Sequence, residues 1–334
     1  LRQILNDHHL RFLIAANLAI LTVAALLSGG RFLDPFNFQG MATQLPELGL
    51  LAIAIAITMI SGGGGIDLSV VSIANLSAIV AGMIARAAFN TEGQGVPFMI
   101  SFVLIALLVG TICGAINGLL VSKSGFPPIL ATLGTQFVFI GFAVALTNGS
   151  TLTLGYVEPF VQIGNGAILG VPIPFVIFVL VALAFGWMLT RTRFGFRLYL
   201  MGTNARAAHF TGINNNTLLL VTYTLSGVLA SIAGIIIGSR ASSVKWEYGT
   251  SYLLIAILIA VMGGVNPAGG YGKVLGLVLS ATALQMLSST LNLLGTSNFL
   301  QDFTWGLLLL LSIVLTNTRF QFKPNPVKEV QASP

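Results

Sequence analysis

An all-α, polytopic bundle of transmembrane helices is the fold this sequence predicts, and three observations lead there. Hydrophobic residues make up 55% of the 334 and charged residues only 7%, where a soluble domain carries about a quarter charged. So apolar a chain has too little polar surface to hydrate a folded globule. The apolar residues also fall in continuous runs of about seventeen to twenty-five, the length of a spanning helix. A membrane barrel would instead alternate apolar and polar residues over strands of about ten. Finally, fourteen of the fifteen Lys and Arg residues sit between the runs, and the fifteenth, Lys273, stands at the start of one. Backbone groups in lipid must bond within the protein, which such runs achieve as helices.

Ten runs follow along the chain. The first, 12–28, comes after Asn6, Asp7, His8, His9 and Arg11, lacks a clear small-residue cleavage site and reads as a retained helix. Runs 45–61 and 66–85 flank the glycines 62–65, which interrupt an otherwise continuous apolar stretch. Run 97–121 contains Cys113, the one cysteine, so an intrachain disulfide is excluded and this side chain reads as a small hydrophobe. Run 128–147 opens on prolines, and 172–190 follows an external loop, 148–171, that carries Tyr156, Glu158 and Pro159 but no Lys or Arg. A second long connection, 190–217, holds four arginines and precedes run 218–238. Runs 252–265 and 271–293 flank a second glycine-rich break, 263–272, and 300–317 completes the set. The remaining connections are short, so residues 1–334 read as one membrane domain. Two breaks in corresponding halves suggest an internal repeat with interrupted helices.

An even number of spans puts both termini on one side. That side collects Arg2, Arg11, Lys123, Arg191, Arg193, Arg197, Arg206, Lys273, Arg319, Lys323 and Lys328, against Arg31, Arg86, Arg240 and Lys245 on the other. Positive residues favour the cytoplasm, so the termini are placed inside. The net charge of +6 therefore reports topology, and no basic face for nucleic acid is formed.

The chemistry expected of the chain is that of passage rather than catalysis. Ser61-Gly62-Gly63-Gly64-Gly65-Ile66-Asp67-Leu68-Ser69 lacks the Gly-Lys-Ser/Thr ending of a phosphate loop, and no such ending occurs elsewhere, so no nucleotide site is expected. The stretch reads as a tight turn opening a helix, with Asp67 at its positive end. His8, His9 and His209 have no ligand-spaced companions, and no nucleophile–base pair is visible. Apart from Asp67 and helix-end residues, ionisable groups are absent from the runs, unlike a proton-driven carrier. The polar residues within runs are neutral: Asn75, Asn117, Gln136, Tyr223, Gln285 and Asn292. Such amides suit an uncharged polyhydroxylated solute, and Asp67, Asn75, Asn117, Gln136 and Gln285 are the candidate pathway residues. The competing role is bonding between neighbouring helices. Residues 202–213 form a short helix bounded by Gly202 and Gly212, with Ala207, Ala208 and Phe210 offering a contact surface for a cytoplasmic partner.

The Gly-Gly-Ile-Asp-Leu-Ser stretch, Pro127–Thr135, Thr192-Arg193-Phe194-Gly195 with Gly202–Ile213, and Gly263–Gly272 occur in an order that resembles the ribose-type permease family of bacterial ABC importers. Autoinducer-2 importers are near relatives of that family. The resemblance implies a multi-pass inner-membrane subunit that alternates access without hydrolysing ATP. It implies ATP-binding subunits that carry ATP and magnesium, a periplasmic solute-binding protein, a second permease copy, the same or different, and a small sugar or polyol as solute. It also implies that Gly202, Asn204, Arg206, Ala207, Ala208, Phe210 and Gly212 belong to the loop that docks on the ATPase. Two departures stand out. Leu253-Leu254-Ile255-Ala256-Ile257 replaces a Glu-Leu-Asp-Ala-Ile of many members, and Val71 stands where a Gly is usual, which puts ribose itself in doubt. Rival readings are a self-sufficient carrier or channel and a membrane-embedded enzyme.

Overall fold

A computed structural model describes residues 7–90 and 93–321. Arg2, Lys323 and Lys328, counted above for orientation, lie outside the described residues. The helices are α1 (His8–Leu27), α2 (Pro35–Ile60), α3 (Val70–Ala88), α4 (Gly95–Lys123), α5 (Pro128–Thr147), α6 (Glu158–Asn165), α7 (Ile173–Arg191), α8 (Arg193–Thr203), α9 (Ala205–Phe210), α10 (Asn215–Ala241), α11 (Tyr252–Met262), α12 (Val274–Leu293) and α13 (Asn298–Gln321). Four two-residue strands, β1 (Leu152–Thr153), β2 (Ala167–Ile168), β3 (Val171–Pro172) and β4 (Ser243–Val244), pair antiparallel as β1 with β4 and β2 with β3.

Each of the ten apolar runs coincides with a helix, and among the described residues eight helices are long and apolar enough to cross a membrane. One expectation changes. The run at 252–265 forms only the eleven residues of α11, about 16 Å at 1.5 Å per residue, roughly half a hydrocarbon core. Gly263 and Gly264 turn the chain back there, and Gly264 has φ of 82°. The connection 190–217 is also more structured than a loop, since α8 and α9 occupy most of it.

Packing sorts the helices into an inner and an outer set. The most apolar stretch of α2 is 89% buried and that of α3 72%, against 17% for α1 and 22% for α7. The outer helices turn Leu104, Leu108, Phe137, Phe142, Leu180, Leu183 and Trp187 outward, side chains that suit acyl chains rather than water. The most extensive helix contact is between α10 and α4. Gly110, Gly114 and Gly118 recur every four residues on α4, so they share one face. A Cβ on Gly110 would lie 2.5 Å from the Ser231 Cβ and 2.6 Å from the Gly227 carbonyl, and one on Gly114 2.5 Å from the Tyr223 carbonyl. Small residues at this spacing let two backbones meet, the usual basis of helix association in lipid.

Contacts distant in sequence define one end of the bundle. There, His9 Nε2 bonds the Met262 carbonyl at 3.0 Å, Lys273 Nζ donates to Asp7 at 2.5 Å, and Tyr199 donates to the Gly272 carbonyl at 2.7 Å. Asp7 and His9, the second glycine break and α8 thus share an end, and Gly62 of the first break joins them by packing against Gly202, just before α9. At the other end Arg86 donates to the Thr153 carbonyl, β1 pairs with β4, and Lys245 pairs with Glu247. The Lys273 ammonium bonded to Asp7 holds that carboxyl below the ordinary carboxylate range, and Asp7 raises Lys273 in return. The pair's contribution is therefore present near neutrality and is lost as pH falls through the depressed Asp7 value or rises past that of Lys273. Lys273 stays half-exposed, so the contribution is under about 1 kcal/mol.

Candidate functional site

The first glycine break is closed by a knot of buried polar groups. Gly62, Gly63 and Gly64 all have positive φ, a conformation costly for any residue with a Cβ. The turn they make drops Asp67 into the protein, where it is fully buried. Its Oδ1 accepts from the Ser69 amide at 3.0 Å and the Ser69 hydroxyl at 2.7 Å, and its Oδ2 accepts from Ser226 of α10 at 2.8 Å. Asn117 of α4 donates to Ser69 Oγ at 2.7 Å, and Thr135 of α5 donates to Asn117 Oδ1 at 2.6 Å. Thr132 donates to the Ile66 carbonyl and accepts from the Leu68 amide, while Thr58 of α2 accepts from the Asp67 amide. Four helices besides α3 are thereby tied to one non-helical turn.

Of the five candidate pathway residues, this network unites two, Asp67 and Asn117. Asn75 lies apart, donating to the carbonyls of Trp246 and Tyr248, each at 2.9 Å. It pins the 242–251 segment across α3. Gln285 of α12 donates to Gln44 of α2 at 3.3 Å. Gln136 is half-buried, and its amide oxygen is buried without a hydrogen-bond partner among the described residues. The five do not converge on one surface.

Replacing Asp67 by Ala leaves the Ser69 and Ser226 donors without acceptors, at a cost of roughly 1–3 kcal/mol. Asp67→Asn retains one acceptor oxygen and costs less. Thermal unfolding in detergent, followed by size exclusion, should rank wild type above Asn above Ala. A fully stable Asn variant that loses uptake would instead make Asp67 a pathway group.

A second buried polar group was not expected from the sequence. Glu47, midway along α2, is buried and forms a two-pronged pair with Arg240 of α10, Nε to Oε1 at 2.6 Å and Nη2 to Oε2 at 3.1 Å. Tyr252 of α11 donates to the same carboxylate at 3.3 Å. In the sequence the apolar run opens at residue 45, which makes Glu47 read as a helix-end residue. The helix begins ten residues earlier, at Pro35, behind an Asp34 cap, and that places the charge inside. An acidic residue within reach of a Pro-led helix start was the signal available.

The short helix α9 lies three residues beyond Gly202. Asn204 caps it by accepting from the Ala207 amide at 3.0 Å, and Asn215 braces it with a bond to the Ala205 carbonyl at 2.8 Å. Gly212 ends it with φ of 83°. Its two faces differ. Ala208 is buried against its own chain, whereas Arg206, Ala207 and His209 are exposed and Phe210 is 87% exposed. Ala208 therefore seats the helix, and Phe210 is its outward apolar group.

Comparison with known proteins bears on this arrangement. The family model described as "Branched-chain amino acid transport system / permease component" matches residues 37–313. The chain belongs to this permease family. The ribose import permease protein RbsC of Bacillus subtilis (strain 168) is 36% identical over 300 residues, covering 89% of this chain and 90% of that protein. Its counterpart in Escherichia coli (strain K12) is 35% identical over 308 residues, covering 90% and 92%. The autoinducer 2 import system permease protein LsrD of Yersinia enterocolitica is 33% identical over 293 residues, covering 86% of each. The chain is accordingly the permease subunit of an ABC importer in the inner membrane, a translocation component and not an enzyme. Such a subunit works with ATP-binding and solute-binding partners.

Proposed function

We propose that this permease admits a small uncharged sugar or related polyol, and that α9 is the contact through which ATP-binding subunits drive it between outward and inward access. The observation that carries the docking half is Phe210, an 87% exposed aromatic on a capped, braced helix. It stands at the end that gathers Arg11, Arg191, Arg193, Arg197, Arg206 and Lys273, which the positive-inside rule assigns to the cytoplasm. Around it, Gly202, Asn204, Arg206, Ala207 and Gly212 shape and flank the contact, while Ala208 anchors it from beneath. ATP and its magnesium are carried by the partner, and a periplasmic binding protein delivers the solute to the opposite end. A second permease copy, identical or related, completes the pathway. Of the candidate pathway residues, Gln136 has a buried amide oxygen that finds no hydrogen-bond partner among the described residues. The solute reading is supported by the ribose and autoinducer 2 relatives and by the neutral character of those amides.

Reconstitution tests both halves. Proteoliposomes holding the permease, its ATP-binding subunits and the binding protein should accumulate a labelled neutral sugar or polyol from a panel, and only with ATP. Leucine should not compete. Competition by leucine would favour the branched-chain amino acid named in the family description. Uptake by the permease alone would overturn the coupled mechanism in favour of a self-sufficient carrier.

A further inference from the structure

Three stretches far apart in sequence meet through glycine backbone at the end of the bundle that carries α9. The Ile60 carbonyl, at the end of α2, accepts from the Gly270 amide at 3.0 Å. Gly202, on the last turn of α8, lies between them: a Cβ there would press on the Ile60 carbonyl and sit 2.5 Å from the Gly270 nitrogen. A Cβ on Gly62 would lie 2.8 Å from the Gly202 carbonyl, and one on Gly269 2.7 Å from the Gly62 nitrogen. One on Gly270 would lie 2.7 Å from the Thr203 nitrogen. Real Cβ atoms do not approach so closely, so each position demands the hydrogen atom of glycine. Gly62, Gly269 and Gly270 also have positive φ. One turn back on α8, Tyr199 adds the bond to the Gly272 carbonyl at 2.7 Å.

We infer that Gly62, Gly202, Gly269 and Gly270, with Tyr199, form a joint that delivers displacement of α9 to both helix breaks at once. They are positioning residues for the transport cycle, and this role rests on the docking of α9 proposed above. Backbone packed directly on backbone has no intervening side-chain torsions with which to absorb a shift, and close-packed contacts transmit strain, so the joint passes movement on with little slack. From Gly62 the chain reaches Asp67 within five residues, and there the polar knot ties the turn to α2, α4, α5 and α10. From Gly270 it reaches the start of α12 within four. A shift of the last turn of α8 therefore bears on both breaks together.

Hydrogen exchange on the permease bound to its ATP-binding subunits, with and without the ATP analogue AMP-PNP, tests this without knowledge of the solute. In the wild type, peptides covering 61–69 and 263–273 should change together when nucleotide is added. Tyr199→Phe, which loses one bond, should keep the ATP-binding subunit but cut the response of 263–273 about fivefold. Gly202→Ala should abolish the joint response. Gly141→Ala, whose Cβ would meet nothing within 4 Å, should behave as wild type. Wild-type responses in both junction variants, or a wild type in which only one break responds, would overturn the inference. Should Gly202→Ala not assemble, Tyr199→Phe decides alone. Retention of the ATP-binding subunit by a Phe210→Asp variant would remove the docking reading, a result separate from either outcome at the junction.

Discussion

Phe210→Asp should release the ATP-binding subunit and abolish uptake while leaving the permease itself folded. Phe210 is 87% exposed, so its replacement opens no cavity and removes no internal contact of consequence. An aromatic anchor at a protein interface is worth at least about 2 kcal/mol, roughly thirtyfold in affinity. A carboxylate in its place adds the cost of desolvating a charge. Co-purification from detergent should therefore fail, and ATP-driven accumulation should drop to background. Ala208→Glu makes the informative contrast. Ala208 is buried against its own chain, so a charge there unseats α9 and should lower the permease's own stability before any partner is added. The two variants would look alike in an uptake assay, and thermal unfolding of the isolated permease separates them. A Phe210→Asp variant with normal subunit retention and full uptake would move the coupling contact to another segment.

Arg240→Ala should destabilise the permease more than any other single change considered, by about 3–5 kcal/mol. The Glu47 side chain is 1% exposed, and without the guanidinium only the Tyr252 hydroxyl, among the described residues, would remain to it. A buried carboxylate in that position either carries an uncompensated charge or takes up a proton. The Arg240 side chain retains 31% exposure, which places the effect toward the lower end. The double variant Glu47→Leu with Arg240→Met should recover much of the loss, because a buried pair exchanged for apolar groups of similar volume is often near neutral. Unfolding temperatures of the three proteins by size exclusion in detergent form the test. Equal stability of Arg240→Ala and wild type would show that the pair contributes nothing.

The membrane class, the helical nature of the ten runs and the placement of both breaks were legible in the sequence because each depends on local composition. A run of apolar residues long enough to span lipid has one way to satisfy its backbone, and glycines 62–65 or 263–272 interrupt it wherever they stand. The family resemblance also rested on contiguous motifs, and the whole-chain comparisons agree with it.

Partnership between distant side chains was not legible. Nothing near Glu47 foretells Arg240, which stands 193 positions away, and nothing near Asp67 foretells Ser226, 159 positions away. Asn75, Asn117 and Gln285 looked alike as amides in apolar runs, yet one pins a loop, one joins the Asp67 knot and one bridges α12 to α2. Ala207 and Ala208 are neighbours of the same type, and only the seating of α9 on the rest of the chain turns one outward and the other in. Composition and local pattern determine whether a segment is a helix and which solvent it suits, because those depend on the segment alone. Which groups face one another depends on how the helices are brought together, and here that is decided where Gly110, Gly114 and Gly227 let α4 meet α10, and where Gly62, Gly202, Gly269 and Gly270 let three turns share one space that a single Cβ would fill.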